Sequence, residues 1–235
     1  MIERKGGQVM IEAGRRVAAI VALALIASGC VTPPRKIVAP AGTTITSVVM
    51  KSDRWIGVAS NADRIRVARI ILAWQAGLAE AKARGFAGEI KAEGKLLIAG
   101  SALSRPAPTP GSYSCRLVTL GRSAKRGPAY EKFKPFFCYV DLENDLFTIV
   151  KQTGSQRPAG RLWEDDNPAR LIFLGSLALG SEDEARAYGA DPRRDMAGIF
   201  ERIAPFVWRL VIPFPQDGTK LQVFELTPVP EQPKP

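Results

Sequence analysis

Phe136-Phe-Cys-Tyr-Val-Asp141, Glu143-Asn-Asp145 and Leu146-Phe-Thr-Ile-Val-Lys151 follow one another as strand, turn and strand. Aromatic and β-branched residues at this length suit a pleated, half-buried surface. Asn and Asp tolerate the left-handed backbone of a tight turn. The same texture continues on both sides. Apolar stretches at 113–120, 136–141, 146–151, 159–164, 170–178, 195–203, 206–212 and 221–228 read as eight strands. Gly154-Ser155, Asp165-Asp-Asn-Pro168 and Gln216-Asp-Gly218 punctuate them. Eight short strands in succession predict an antiparallel meander, and such a sheet loses its exposed edges by closing into a barrel. Segment 182–188 reads as a short helix inserted between strands. The expected class is mainly β, of the α+β kind.

One long N-terminal helix is expected before the meander. Ser60-Asn-Ala-Asp63 has the spacing of a capping box, with aspartate in place of glutamate. Ile65, Ala68, Ile71, Leu72, Ala76 and Ala79 then recur at helical intervals. This stripe is expected to pack on the rest of the domain, with partner binding as the alternative. Gly85 is placed to stop the helix. Pro106, Pro108 and Pro110 argue for an irregular connection into the first strand.

Ahead of the helix the sequence carries an address. Arg15-Arg16 precedes the apolar run Val17–Ala27, which ends at Ser28-Gly29-Cys30. A positive segment, a short apolar core and small residues form the layout of a secretory signal. The run falls short of the roughly 20 apolar residues that span a bilayer. Ile26-Ala27-Ser28-Gly29-Cys30 resembles the lipobox of bacterial lipoproteins, in which the cysteine becomes the first mature residue and carries acyl chains such as palmitate. An ordinary signal peptide with an incidental cysteine is the alternative. Translation starts at Met1 or at Met10; the second gives the more typical positive segment. Val31, rather than an aspartate, follows the cysteine, which by resemblance to known sorting signals favours the outer membrane. The expected organisation is a signal peptide at 1–29, a tether at 30–52, one domain at 53–229 and a tail at 230–235. The expected location is the cell envelope, lipid-anchored and facing the periplasm. With Cys30 assigned to lipid, Cys115 and Cys138 remain as a pair, and an oxidising compartment favours a disulfide over two buried thiols.

Composition narrows the chemistry. The chain has no histidine, which removes the commonest general base and zinc ligand and every Ser-His or Cys-His pair. Its formal charge is +10. Loss of residues 1–29 removes four bases and two acids and leaves +8. The basic residues are scattered apart from Arg122-Ser-Ala-Lys-Arg126, without an aromatic-basic recognition motif, so nucleic acid is not an expected partner. No metal, cofactor or catalytic residue is assigned.

The densest polar constellation is Thr153-Gly154-Ser155-Gln156-Arg157, at a strand-to-strand turn. Hydroxyls, an amide and a guanidinium in one loop suit a carboxylate, phosphate or sugar. They equally suit capping of exposed backbone groups at strand ends. Arg116 and Arg209, on strands, meet either a ligand inside the barrel or a carboxylate such as Glu201 or Glu225. Glu164, Asp165, Asp166, Asp183, Glu184, Asp191 and Asp195 are the carboxylates that hydrolysis would recruit, although their spacing fits no calcium loop. Trp163, Phe173, Phe206, Trp208, Phe214 and Phe224 read as core, or as the lining of a barrel mouth.

Several motifs resemble one known family. They include Asp53-Arg-Trp55, Ala62-Asp-Arg64, Gly111-Ser-Tyr113-Ser-Cys115-Arg116 and Phe137-Cys138. Further on come Lys151-Gln-Thr153-Gly-Ser155-Gln-Arg157-Pro158, Phe173-Leu-Gly175, Arg194-Asp-Met-Ala-Gly198 and Trp208-Arg-Leu210. They are similar to those of a family of exported bacterial proteins, the domain of unknown function numbered 4893. The resemblance supports a single domain and the Cys115–Cys138 pairing, and implies no activity. The function expected from the residues is a non-enzymatic envelope lipoprotein that binds a small-molecule, anionic envelope or protein ligand. The alternatives are a carboxylate-dependent hydrolase of envelope glycans or peptides, and a structural or assembly protein without a pocket.

Overall fold

The computed structural model describes residues 44–45, 54–124, 127–180 and 182–230. The predicted signal segment, Cys30, nearly all of the tether and residues 231–235 lie outside them. The strands are β1 (Thr44–Ile45), β2 (Gly111–Leu120), β3 (Tyr130–Lys132), β4 (Phe136–Glu143), β5 (Leu146–Lys151), β6 (Gln156–Glu164), β7 (Arg170–Leu179), β8 (Glu184–Ala185), β9 (Asp195–Ala204), β10 (Val207–Pro213) and β11 (Leu221–Pro228). Each predicted strand has its counterpart. β2, β4, β5, β6, β7, β9, β10 and β11 pair antiparallel in that order. β11 then pairs with β2, from Leu221↔Leu120 to Pro228↔Tyr113. The meander is therefore a closed eight-stranded barrel, and closure removes the sheet edges.

Local sequence explains the tight turns. Asn144 and Asp145 join Glu143 to its partner Leu146, with φ of 50° and 64°. Positive φ at both central residues defines the turn whose twist matches a hairpin. Pro205-Phe206 joins Ala204 to Val207, and Phe206 takes φ of 56° where glycine is usual. β3 escaped the sequence reading. It runs beside the second half of β2, and Phe133-Lys-Pro135 interrupts its continuation into β4. Proline has no N–H to give the ladder there.

Tyr113, Cys115, Cys138, Val140, Ile149, Leu162, Phe173, Met196, Phe200, Trp208, Leu210, Ile212, Phe224 and Leu226 form one buried cluster drawn from all eight barrel strands and from nothing else. That cluster is the barrel lumen. The Cys115–Cys138 disulfide lies within it and links the adjacent strands β2 and β4. Alternate residues face outward. Val118, Leu120, Ile199, Val211, Leu221 and Val223 join a second core beneath the helices. Phe173 needs space in the lumen, and glycines supply it: a Cβ on Gly160 would meet the Phe173 ring at 2.6 Å.

The helices are α1 (Trp55–Val58), α2 (Asn61–Ala68), α3 (Ile70–Ala83) and α4 (Ala87–Ala92), followed by a 3-10 turn at Gly94–Leu97. One long helix was expected over 60–85. Arg69 divides it, with φ of −92° and ψ of 16°, and lays its guanidinium over the Phe214 ring at 4.8 Å. The N-terminus follows the capping box with one addition. Ser60 Oγ accepts from the Asp63 amide, and the Tyr188 hydroxyl accepts from the Ser60 amide and donates to Asp63 Oδ2 at 2.5 Å. At the other end Gly85 takes φ of 94°, and the amides of Phe86 and Gly85 bond the carbonyls of Ala81 and Lys82. This is the double bond pattern of a left-handed helix stop.

The helix faces differ from the expectation. Val67, Ile70, Ala73, Trp74, Gly77 and Ala81 are buried on the barrel. The predicted core stripe points to solvent: Ile65 is 51% exposed, Ile71 67% and Leu72 51%, and Ala68 and Ala79 are exposed with them. The cause is close approach. A Cβ on Gly77 would stand 3.0 Å from the Leu120 Cβ, so the side that carries this glycine can lie closely on the sheet, with Trp74 and Ile70 packing on either side of the contact.

Segment 182–188 is not a helix. Glu184–Ala185 forms the short strand β8, parallel to β1. Ala185 is buried with Val150, Ala159 and Ala178, and Glu182 accepts from the Leu179 amide and pairs with Arg194. Tertiary contacts here override local helix propensity. Residues 87–92 and 94–97, to which the sequence assigned no element, are helical.

Candidate functional site

The strand arginines are structural. Arg209 stands directly opposite Glu201, and Arg116 directly opposite Glu225. Both point outward from the barrel. Arg209 is fully buried, donates Nε to Glu201 Oε2 at 2.7 Å, and bonds the carbonyls of Lys95, Leu96 and Ile98 at 2.8–3.1 Å. The Trp74 ring lies 5.0 Å away. Arg116 pairs with Glu225 and Glu93, each at 2.5 Å. Burial opposes ionisation of Glu93, but bonds from Arg116 and Tyr130 outweigh it and hold the carboxyl below its usual range. Two cross-strand pairs thus pin segment 93–98 to the barrel wall.

One end of the lumen is closed. Trp208 Nε1 donates to the Pro106 carbonyl at 3.0 Å, and the Tyr113 hydroxyl to the Thr109 carbonyl at 2.7 Å. Pro106 and Pro108 are buried. Lumen aromatics with polar tips fasten the proline-rich strap across that mouth.

The opposite end is open. A cavity of about 100 Å³, open to solvent, has an apolar floor of Leu117, Pro158, Leu177, Met196, Ile212 and Phe224. Its rim carries Lys151, Gln156, Arg193, Arg194, Asp195 and Gln222. Concave, mainly apolar pockets with a few polar groups are the common form of small-molecule sites. Most rim charges are committed. Arg194 binds both oxygens of Glu182, and Arg193 binds Asp191. Lys151 differs. Its ammonium lies 4.2 Å from the Phe136 ring centroid, and no carboxylate pairs with it among the described residues. Burial lowers its pKa, and the Arg157 charge adds to this. Asp195 is 3% exposed; burial raises its pKa, and the charges of Asp63 and Asp191 reinforce that over the Gly189 amide bond.

The predicted polar loop borders this mouth without acting as a unit. Gln156 lines the rim. Thr153 and Ser155 are exposed, and a Cβ on the intervening Gly154 would stand 3.5 Å from the Lys151 ammonium. Arg157 turns away, donating to the carbonyls of Gly154, Gly180 and Glu182. It caps strand ends, the structural role considered for it. Arg116 lies outside the mouth altogether. The acidic candidates separate as well. Asp165 pairs with Arg170 and Asp166 with Arg54, and only Asp195 of the seven lines the cavity. Of the aromatics, Phe173, Trp208 and Phe224 are in the lumen, Phe206 is 69% exposed at a hairpin tip, and Trp163 and Phe214 join the outer core. No group of three metal-ligating side chains occurs among the described residues.

Lys151 escaped the sequence reading as a site residue. It closes an apolar strand and reads there as an ordinary exposed end. The signal was available in the spacing: residues 147, 149 and 151 share one face of β5, so a lumen-facing Ile149 carries Lys151 into the mouth.

Residues 55–226 match the family model described as Domain of unknown function (DUF4893). No curated protein matches the chain, and no solved structure does. The match covers most of the chain, from α1 to the closing strand of the barrel, and the protein belongs to the DUF4893 family.

Proposed function

We propose that this protein is a non-enzymatic lipoprotein of the bacterial envelope, exported by residues 1–29 and anchored through acylated Cys30, whose barrel mouth binds an anionic amphiphile. The lipobox-like Ile26-Ala-Ser-Gly-Cys30 supports the address. One observation carries the binding reading: Lys151 lies half-buried at the rim of an apolar cavity, with no carboxylate partner among the described residues. A buried cation held without its counter-ion is suited to a ligand that brings one. Leu117, Leu177 and Phe224 would receive the apolar part and Lys151 the carboxylate or phosphate head, with Gln156 and Gln222 as hydrogen-bonding neighbours.

Titration calorimetry with dodecanoate and lysophosphatidylglycerol, each below its micelle concentration, tests this. Saturable one-to-one binding is expected, weakened about ten- to a hundred-fold in Lys151→Gln by loss of a charged hydrogen bond. Equal affinity in wild type and variant removes Lys151 from the site. No binding of either probe removes the ligand class.

Asp195 favours a second reading, hydrolysis. A buried carboxyl with a raised pKa lines the same cavity as a lysine with a lowered one, and shifted groups of opposite kind in one cavity are candidates for acid–base chemistry. On that reading Asp195→Asn abolishes turnover of an envelope glycan or peptide without lowering the melting temperature. If turnover survives the substitution, the reading fails.

A further inference from the structure

The apolar stripe on the outer face of α2 and α3 has no partner among the described residues. Ile65, Ala68, Leu72, Ala76, Ala79 and Ala83 follow one another at intervals of three or four residues, which aligns them along one side of the helices. Ile65 and Leu72 are each 51% exposed, and Ile71 beside them 67%. The inner side of the same helices is apolar too, because it packs on β2, β10 and β11. α3 is thus apolar almost all round although one side meets solvent. A helix of that composition belongs in a core or against a membrane.

The charges around the stripe say what covers it. Arg64, Arg69 and Lys82 are exposed along its margins, and none pairs with a carboxylate among the described residues. The two acidic residues of α2 and α3 are withdrawn: Asp63 is buried with Tyr188 and Arg66, and Glu80 is paired with Arg122. The face therefore presents apolar side chains beside cations that no described carboxylate neutralises, Arg69 among them while it stacks on Phe214, and no free anion on α2 or α3. We infer that the outer face of α2 and α3 docks on a phospholipid surface rich in anionic headgroups, with Ile65, Ile71 and Leu72 entering the headgroup boundary and Arg64, Arg69 and Lys82 meeting phosphates. Apolar helix faces flanked by Lys and Arg bind membrane interfaces in this way. The docking rests on the anchored reading, because Cys30 would bring the domain to the surface. It would leave the barrel mouth, to which these helices contribute only Arg66 of α2, free to take its ligand.

The test uses the full chain recovered from membranes and reconstituted into vesicles of phosphatidylcholine with or without phosphatidylglycerol, with brominated acyl chains as quencher. A fluorophore is placed at Leu72→Cys, and in a second protein at Asp145→Cys, on the exposed β4–β5 turn. Expected is strong quenching at 72 and little at 145, dependent on phosphatidylglycerol. Removing Arg64, Arg69 and Lys82 as glutamines is expected to lower the ratio of docked to undocked domain about five-fold per charge. Three results would overturn the docking: equal quenching at the two positions, quenching at 72 indifferent to phosphatidylglycerol, or shielding of 72 by a second copy without lipid. Flotation of the vesicles reads the anchor separately. A chain that floats without excess quenching at 72 loses the docking and keeps the anchor. A chain that does not float loses the anchor, and the docking with it.

Discussion

Arg209 shows how one side chain couples two layers. Its charge sits where water is absent, held by Glu201 and by three carbonyls from the 3-10 turn and the residue after it. Removing one partner of such a pair costs about 3–5 kcal/mol, because the other charge stays buried alone. Arg209→Met is therefore expected to lower the melting temperature by roughly 10 °C, given about 2–4 °C per kcal/mol at this size. Replacing Glu201 with methionine as well is expected to restore more than half of the loss, since an apolar pair of similar volume leaves no unpaired charge. Scanning calorimetry of both variants decides it, and a double variant no better than the single one would locate the stability in the carbonyl bonds. Glu201 was one of two carboxylates the sequence offered to the strand arginines, and the hairpin register assigns it to Arg209. The orientation of the pair was not legible. β9 and β10 are buried on the lumen side and under the helices, so neither strand alternates apolar with polar.

The same two-sided burial explains what could be read at the scale of elements. Strands were visible because each is a short apolar run between turn residues, and that signal survives burial of both faces. The helix stripe was visible too, but periodicity shows that a helix has an apolar side without showing which side meets the core. Close packing settles that instead: Gly77 lets the helix lie close to β2 at Leu120, and Ile70 and Trp74 are buried on the same side. The attachment of this helical layer has a pH dependence of its own. Tyr130 donates to Glu93 at the end of α4, and Tyr188 to Asp63 at the start of α2. Burial, reinforced by each carboxylate, pushes both phenols from 10.0 up to about 12. A group whose pKa is raised by folding stabilises the protein fully below its unfolded value and loses that contribution as pH climbs through its folded one. The denaturant midpoint should therefore hold below pH 10 as far as these groups decide it, and fall between about pH 10 and 12. Tyr130→Phe with Tyr188→Phe should be weaker at neutral pH and flatter across that window. A wild-type curve as flat as that of the double variant would show that neither hydroxyl ties the helices down.

At the scale of the whole molecule, the barrel depends on a contact between the ends of its chain. β11 closes on β2 over eight residue pairs, and the other six barrel strands lie between them in sequence. The ligand site shares this distribution, which is why the sequence left most of it hidden. Leu117, Lys151, Leu177, Met196, Ile212 and Phe224 come from six strands, and no local spacing connects them. What the polar loop contributed was its place at the rim, through Gln156. The disulfide joins β2 to β4 within the half of β2 that β4 pairs, and the loop it closes contains β3, Pro128 and Pro135. Its cysteines are 23 residues apart, and a loop of that size is worth about 3 kcal/mol in the chain-entropy account. Cys115→Ala with Cys138→Ala is thus expected to melt roughly 6–12 °C lower than wild type. Both cysteines are buried in the lumen, at 1% and 4% exposure, so a reductant should act slowly on the folded chain and rapidly in denaturant. Fast reduction under native conditions would mean that β2 and β4 separate without global unfolding. The seam would then lie beside the mouth, between Leu117 and Phe136, and closure of the barrel would be the step a bound amphiphile stabilises.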